Sequence, residues 1–146
     1  MIYLLRHGDA EDGDGDDASR RLTPKGERQA EAAGQALAVL ETGIEACLTS
    51  PKARAAETAR IACRSLGVEP ETAEELRGGP FDAEAAAAGR GAALLVGHEP
   101  DFSGEVARLT GARIKLRKGG LAVVDEKGRL VALMRPAELA RIGEAS

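Results

Sequence analysis

The stretch AALLVG, residues 92–97, is an unbroken apolar run that ends in glycine and is followed at once by a histidine. Short apolar runs bounded by charge and glycine are typical of strands that are buried on both faces of a sheet. Met1–Leu5 has the same character, and Ile44–Thr49 and Val68–Thr72 are further strand candidates. Helical segments separate these runs, and such alternation predicts a largely parallel sheet.

The helical segments begin with an N-cap residue followed by proline and continue with apolar residues at helical spacing. Thr23-Pro24 opens a helix that Gly43 closes. Ser50-Pro51 opens a second helix, which is expected to continue through Leu66 and to stop at Gly67. A third, shorter helix is expected after residue 97, ending at Gly111.

Two further apolar runs, Leu121–Val124 and Leu130–Leu133, flank the turn sequence DEKGR and predict a hairpin. The expected architecture is a three-layer α/β/α sandwich with a mostly parallel sheet and an antiparallel edge hairpin. The sequence contains no repeat or linker-like segment, so a single domain over residues 1–146 is expected.

The overall charge of −4 limits the classes of partner, because 24 acidic residues outweigh 20 basic ones. This balance favours neither nucleic acid nor an anionic membrane, so any anion site must be local. Cys47 and Cys63 lack the spacing of a metal or redox motif and are expected to be buried, reduced thiols. The N-terminal apolar run is too short for a signal peptide or a membrane span, which favours a cytoplasmic location.

Two charged runs need an interpretation of their own. DAEDGDGDD, residues 9–17, is expected to be a solvated loop. It is not an EF-hand, because the frame from Asp12 has Asp17 where glycine is needed and Thr23 where glutamate is needed. RIKLRK, residues 113–118, has no interleaved aromatic residue and is expected to be a solvated strand face.

Both histidines of the chain, and two arginines, follow predicted strands. Arg6 and His7 come after the first strand, and His98 comes after the AALLVG strand. Arg54 is expected in the first turn of the helix that follows the second strand. Ligands of open α/β sheets bind at the carboxyl ends of the strands, so these side chains are expected to meet there.

The surroundings of these residues suit an anion. Gly8 and Gly97 flank the histidines, and glycine is expected to let the backbone approach a ligand closely. The helix N-terminus expected at Ser50 adds a positive dipole end to the cationic side chains. Together these features predict a phosphate site.

Five segments of the chain carry a resemblance to a known family. They are LLRHGDA at 4–10, LTPKGERQA at 22–30, TSPKARAAETA at 49–59, LLVGHEPDFS at 94–103 and KGGLAVV at 118–124. In this order they resemble the histidine phosphatase superfamily, and most closely its SixA-type phosphohistidine phosphatases. The resemblance implies a phosphoglycerate mutase-like fold and a covalent mechanism in which His7 attacks phosphorus. It also implies that Arg6, Arg54 and His98 hold the three oxygens that are not transferred. Gly8, beside His7, is expected to contact the substrate as well.

The implied roles agree with the chemistry of the residues. A neutral imidazole is a competent nucleophile near pH 7, and arginine forks match the oxygens of a phosphoryl group. The sequence has neither a cluster of metal ligands nor a Walker loop, so no metal or other cofactor is expected.

The general acid is left open by the sequence. Glu75 is preferred, and Asp82 and Asp9 are alternatives, although none of the three lies in a distinctive motif. A phosphohistidine substrate relaxes the need for an acid, because imidazole leaves more readily than an alkoxide. The acidic loop is expected to select substrates by charge through Asp12, Asp14, Asp16 and Asp17.

The expected function is dephosphorylation of phosphohistidine on a signalling or phosphotransfer protein, such as a histidine phosphotransfer domain. Residues 74–91, between the third and fourth strands, are too few for the helical lid of family members that act on small metabolites. The alternatives are a phosphatase of a small phosphomonoester and a non-catalytic phosphate-binding module. The presence of His7 favours an enzyme, since a pure binding module needs no nucleophile.

Overall fold

The computed structural model describes residues 1–13 and 15–145, which include a six-stranded sheet. Its strands are β1 (Ile2–Arg6), β2 (Ala46–Thr49), β3 (Pro70–Thr72), β4 (Ala93–Gly97), β5 (Leu121–Val124) and β6 (Leu130–Met134). Their order across the sheet is β3-β2-β4-β1-β5-β6. Strands β1 to β4 are mutually parallel, whereas β5 and β6 run antiparallel at one edge. The predicted parallel sheet with an antiparallel edge hairpin is confirmed.

The helices are α1 (Pro24–Val39), α2 (Ala53–Arg64), α3 (Ala83–Ala87), α4 (Asp101–Thr110) and α5 (Pro136–Glu144). Helix α1 begins as predicted, because the Thr23 hydroxyl accepts a hydrogen bond from the Gly26 N–H at 3.1 Å. The prediction that Ser50 caps α2 was wrong by two residues, because Lys52 is the N-cap and the helix begins at Ala53. Ser50 instead continues the exit of β2, and its N–H donates to the carbonyl of Val96 at 3.0 Å.

The helices form a layer on each face of the sheet, which confirms the α/β/α sandwich. On one face α1, α2 and α5 pack on the sheet through a core that includes Leu37, Ala59 and Leu139. On the other face α3 and α4 contribute residues such as Ala83 and Phe102 to a second core. Small residues bring the helices close together, as shown by Gly34, where a Cβ would lie 2.4 Å from the Ala62 carbonyl oxygen.

Three segments differ from the sequence-based expectations. Helices α3 and α5 were not predicted. The run at 113–118 is not a strand, but an irregular connection between α4 and β5. Residues 74–91 form two short helical segments without a large insertion.

The two cysteines are buried, as expected from the sequence. Cys47 and Cys63 are free thiols and are buried in the core beneath α1 and α2. In the part of the chain that the structure describes, no helix has both the length and the apolar character needed to cross a membrane.

Candidate active site

The candidate site lies where β1 and β4 end side by side in the middle of the sheet. The chain leaves β1 towards β2 on one side, and it leaves β4 towards β5 on the other. This reversal creates a crevice at the carboxyl ends of the strands. The His7 N–H donates to the carbonyl of Gly97 at 3.1 Å, so the exits of the two strands are tied together. The two histidine rings consequently lie with centroids 5.3 Å apart.

A cleft of about 270 Å³ opens at this point. It contains all four residues that the sequence singled out, namely Arg6, His7, Arg54 and His98. Among the described residues its lining includes six arginine or lysine side chains but only two carboxylates, Glu99 and Asp101. The chain as a whole is acidic, so this local concentration of positive charge is suited to an anion.

His7 is held in a single tautomer by its own backbone. Its Nδ1 lies 2.7 Å from the carbonyl oxygen of Gly8, which can only accept a hydrogen bond. The proton of the neutral ring is therefore on Nδ1, and Nε2 keeps its lone pair. Burial lowers the pKa of His7 to about 4. The charges of Arg54 and Arg6 act in the same direction, and the hydrogen bond to Gly8 opposes them. The ring is thus neutral, and nucleophilic at Nε2, at pH 7.

His98 is oriented by Ser50, which was expected to cap a helix and not to contact a histidine. Its Nε2 lies 2.8 Å from the Oγ of Ser50, and both residues are buried. Burial, followed by the charges of His7 and Arg54, lowers the pKa of His98 to about 3. The buried Nδ1 of His98 has no hydrogen-bond partner among the described residues. Polar atoms of this kind are rare in folded proteins unless they serve a ligand.

The two arginines are each fixed through part of the guanidinium group. Arg6 donates from Nη1 to the carbonyl of Leu116 at 2.9 Å, and its buried Nε is without a partner in the described chain. Arg54 donates from Nη1 to the carbonyl of Asp17 at 2.9 Å and from Nη2 to an oxygen of its carboxylate at 3.3 Å. A guanidinium has five N–H donors, so both arginines keep donors for a ligand.

Asp17 brings the acidic loop into the site. Besides Arg54, its carboxylate contacts Lys52 at 3.1 Å and Arg20 at 3.1 Å. The hydrogen bonds from Lys52 and Arg20 hold the pKa of Asp17 well below its usual range. Asp16 instead caps the short helix at 17–19 through the Ala18 N–H, at 3.1 Å.

The other aspartates of the loop bear less on the cleft. Asp12 is exposed and does not line it, and Asp14 lies outside the described residues.

The structure does not place the three predicted acid candidates in the cleft. Glu75 is exposed on a short 3-10 helix, because the buried residue of that turn is Leu76. Asp82 caps α3 and pairs with Arg108. Asp9 accepts a hydrogen bond from the hydroxyl of Thr23 at 2.8 Å.

Glu99 and Asp101 line the cleft instead, and sequence reasoning missed both. Glu99 is fully engaged with Ser103 and with the Leu116 N–H. Asp101 accepts from the Gly79 N–H at 3.0 Å through one oxygen. Their position directly after His98 was the signal that could have identified them.

The two glycines beside the histidines serve packing, which corrects the expectation that they admit a ligand. A Cβ on Gly8 would lie 2.6 Å from the carbonyl oxygen of Gly26 in the first turn of α1. A Cβ on Gly97 would lie 2.7 Å from the ring of Phe102. Gly8 does not line the cleft, and its N–H donates to the hydroxyl of Thr58 at 3.1 Å.

Comparison with known proteins identifies the family of the chain. A family model for the histidine phosphatase superfamily (branch 1) matches residues 2–98, a range that includes all four predicted site residues. The chain belongs to this superfamily. Within it the chain is SixA-like, as two solved structures show.

The protein histidine phosphatase SixA, solved in complex with tungstate, is 26% identical with a TM-score of 0.81, and the match covers 94% of this chain and 98% of that one. A SixA structure from Agrobacterium tumefaciens is 24% identical with a TM-score of 0.79, over 92% of this chain and 97% of the other. An uncharacterized protein of a Picosynechococcus strain is 39% identical over an alignment of 137 residues, and the match covers 82% of this chain and 81% of the other. The fold is therefore the phosphoglycerate mutase-like fold of SixA.

Proposed function

We propose that this chain is a phosphohistidine phosphatase that acts on a phosphorylated protein through a covalent intermediate on His7. The observation that carries the proposal is the fixed tautomer of His7, whose Nδ1 is bound to the Gly8 carbonyl within a cationic cleft. A residue that only bound phosphate would need a proton on the atom facing the ligand. A neutral ring with a free Nε2 is suited to attack.

The reaction has two displacements at phosphorus. In the first, Nε2 of His7 forms a bond to phosphorus while the bond from phosphorus to the substrate's imidazole nitrogen breaks. The electron pair of that bond stays on the leaving nitrogen, which takes a proton from solvent. In the second, water attacks the phosphorus of phosphorylated His7, loses a proton to solvent and returns Nε2 with its lone pair.

Arg6, Arg54 and His98 are assigned to the three oxygens that are not transferred. Arginine N–H groups placed around phosphorus stabilise the charge that spreads over these oxygens in the transition state. A bound phosphoryl dianion also raises the pKa of the adjacent His98, so that its ring can donate as an imidazolium. Tungstate is a tetrahedral oxyanion, and its presence in the SixA complex supports an anion clamp of this type.

A protein substrate is supported by the shape of the site. The cleft is bordered by exposed side chains such as Arg77 and Lys118, and residues 74–91 form only short helical segments. An open site buries little of a small ligand, so it gains little of the affinity and orientation that enclosed pockets provide. The surface of a phosphorylated protein supplies the missing walls.

The test is a comparison of kcat/KM for two substrate classes. We expect a phosphohistidine on a folded protein, such as a histidine phosphotransfer domain, to exceed sugar phosphates and phosphoglycerates by at least about tenfold, or ~1.4 kcal/mol. His7→Ala serves as the control and should reduce both activities to below about one hundredth of wild type. A preference for the small phosphomonoester would assign the chain to that class. Anion binding without turnover of either substrate would make it a binding module.

A further inference from the structure

A second hollow of about 440 Å³ adjoins the catalytic cleft and has no role in the proposed reaction. Arg6 and Lys118 line both, so the two are neighbours. The rest of the hollow is lined chiefly by the first turn of α1 and by the connection that precedes β5. Its basic residues are Arg6, Lys25, Lys115, Arg117 and Lys118.

The charge of this hollow is unusual for the molecule. Asp9 is the carboxylate in its lining, and it is held by Thr23 and Lys118. Lys25, Lys115 and Arg117 form no ion pair or hydrogen bond through their side chains with any described residue. Neighbouring cations without partners repel one another, which is unfavourable. In a chain of net charge −4, such a cluster indicates a site for an anion.

The segment that carries these cations is fastened to the catalytic residues. Leu116 is fully buried; its carbonyl accepts from Arg6 at 2.9 Å and its N–H donates to Glu99 at 3.0 Å. The Gly119 N–H donates to the carbonyl of His7 at 2.9 Å. With Leu116 turned inward, its neighbours Lys115 and Arg117 are exposed. The backbone that carries Lys115 and Arg117 therefore keeps a fixed position relative to the nucleophile.

We propose that this hollow is a second anion-binding site, which takes the carboxylates of an acidic segment next to the phosphorylated residue of a protein substrate. The inference rests on the proposed function and specifies the chemistry of the partner. Several exposed cations spread around an open hollow suit a row of carboxylates better than a single compact phosphate. The shared Arg6 places such a segment beside the phosphoryl group that His7 attacks.

The test uses two phosphohistidine peptides that differ only in their flanks, one with four glutamates beside the phosphorylated residue and one with glutamines. The triple variant Lys25→Gln, Lys115→Gln and Arg117→Gln removes the charge of the hollow. A matched control, Arg60→Gln, Arg64→Gln and Lys127→Gln, removes the same charge from exposed positions on α2 and on the β5–β6 turn. Hydrolysis of p-nitrophenyl phosphate reports on the chemical step alone.

We expect wild type to have a KM at least about fivefold lower for the glutamate peptide, and the triple variant to lose this preference. The kcat for both peptides and the hydrolysis of p-nitrophenyl phosphate should not change, and the control variant should behave as wild type. The preference should also weaken as salt is added. Equal KM values for the two peptides in wild type, or loss of the preference in the control variant as well, would overturn the proposal. So would an equal loss of p-nitrophenyl phosphate hydrolysis in the triple variant, because the hollow would then belong to the phosphate clamp.

A failure of the proposed function gives a different result. Neither peptide would then be hydrolysed, although p-nitrophenyl phosphate is. Fluorescence anisotropy of the labelled peptides with the His7→Ala variant would still decide on the second site. Tighter binding of the glutamate peptide that depends on the three basic residues supports it, and equal binding of both peptides refutes it.

Discussion

Replacing Asp17 with asparagine removes one negative charge from the cations of the cleft and keeps an oxygen that accepts hydrogen bonds. Asp17 now contacts Arg54 and Lys52, two side chains that line the cleft. A phosphoryl group bound to the same guanidinium would lie about 5 Å from the carboxylate, where two unit charges repel by roughly 1–3 kcal/mol at effective dielectric constants of 80 to 20. The Asp17 side chain is 54% exposed, so the lower value of ~1 kcal/mol applies. We therefore expect Asp17→Asn to bind inorganic phosphate and tungstate about fivefold more tightly.

The assay is competitive inhibition of p-nitrophenyl phosphate hydrolysis by each anion, at low and at high salt. Asp16→Asn is the matched control, because it removes the same charge from the neighbouring residue, which forms no ion pair with the cleft cations among the described residues. The gain in Asp17→Asn should shrink at high salt. Unchanged or weaker inhibition in Asp17→Asn, or an equal gain in Asp16→Asn, would refute the reasoning that Asp17 competes with the substrate for Arg54.

Three other predictions concern the nucleophile and the anion clamp. His7 has a pKa of about 4 and must be neutral to attack. The kcat/KM, corrected for substrate ionisation, should therefore stay level from pH 7 to about pH 5 and fall as the pH drops through about 4. A decline centred near about 6.5 would contradict this. Since Arg6, Arg54 and His98 are assigned the charge stabilisation, phosphatase activity should survive exhaustive EDTA treatment. Vanadate, which adopts a trigonal-bipyramidal geometry, should block it. Loss of activity with EDTA that a divalent ion restores would count against this assignment. Ser50→Ala should lower kcat/KM about tenfold with little change in the thermal unfolding temperature, because His98 loses the hydroxyl at 2.8 Å that orients its ring. Wild-type kinetics in this variant would exclude an orienting role for Ser50.

The sequence was sufficient for those parts of the fold that local patterns determine. Apolar runs bounded by glycine located the strands, and Thr23-Pro24 located the start of α1, because capping acts through neighbouring residues. The meeting of Arg6, His7, Arg54 and His98 in one cleft was also predictable, since parallel strands deliver the residues that follow them to one edge of the sheet.

The remaining features depend on contacts between distant segments. Ser50 looked like a helix cap, but the backbone bond to β4 keeps it in the extended exit of β2 and places its hydroxyl on His98. The segment around Leu116 alternates like a strand, yet the Leu116 backbone bonds to the side chains of Arg6 and Glu99 rather than to the backbone of a strand. Glu75 was preferred without a distinctive motif, and nothing local in the sequence indicates that its side chain lies outside the cleft.

The most direct test of the account is rapid-quench trapping with a phosphorus-labelled phosphohistidine donor. Quenching in alkaline denaturant preserves a phosphorus–nitrogen bond, and mass spectrometry of the digested protein then locates the label. We expect label to appear on His7 in the first turnover, to approach one equivalent when attack is faster than hydrolysis, and to be absent from the His7→Ala variant. Product formation in wild type without any labelled protein, or label on His98 instead, would contradict the covalent mechanism at His7.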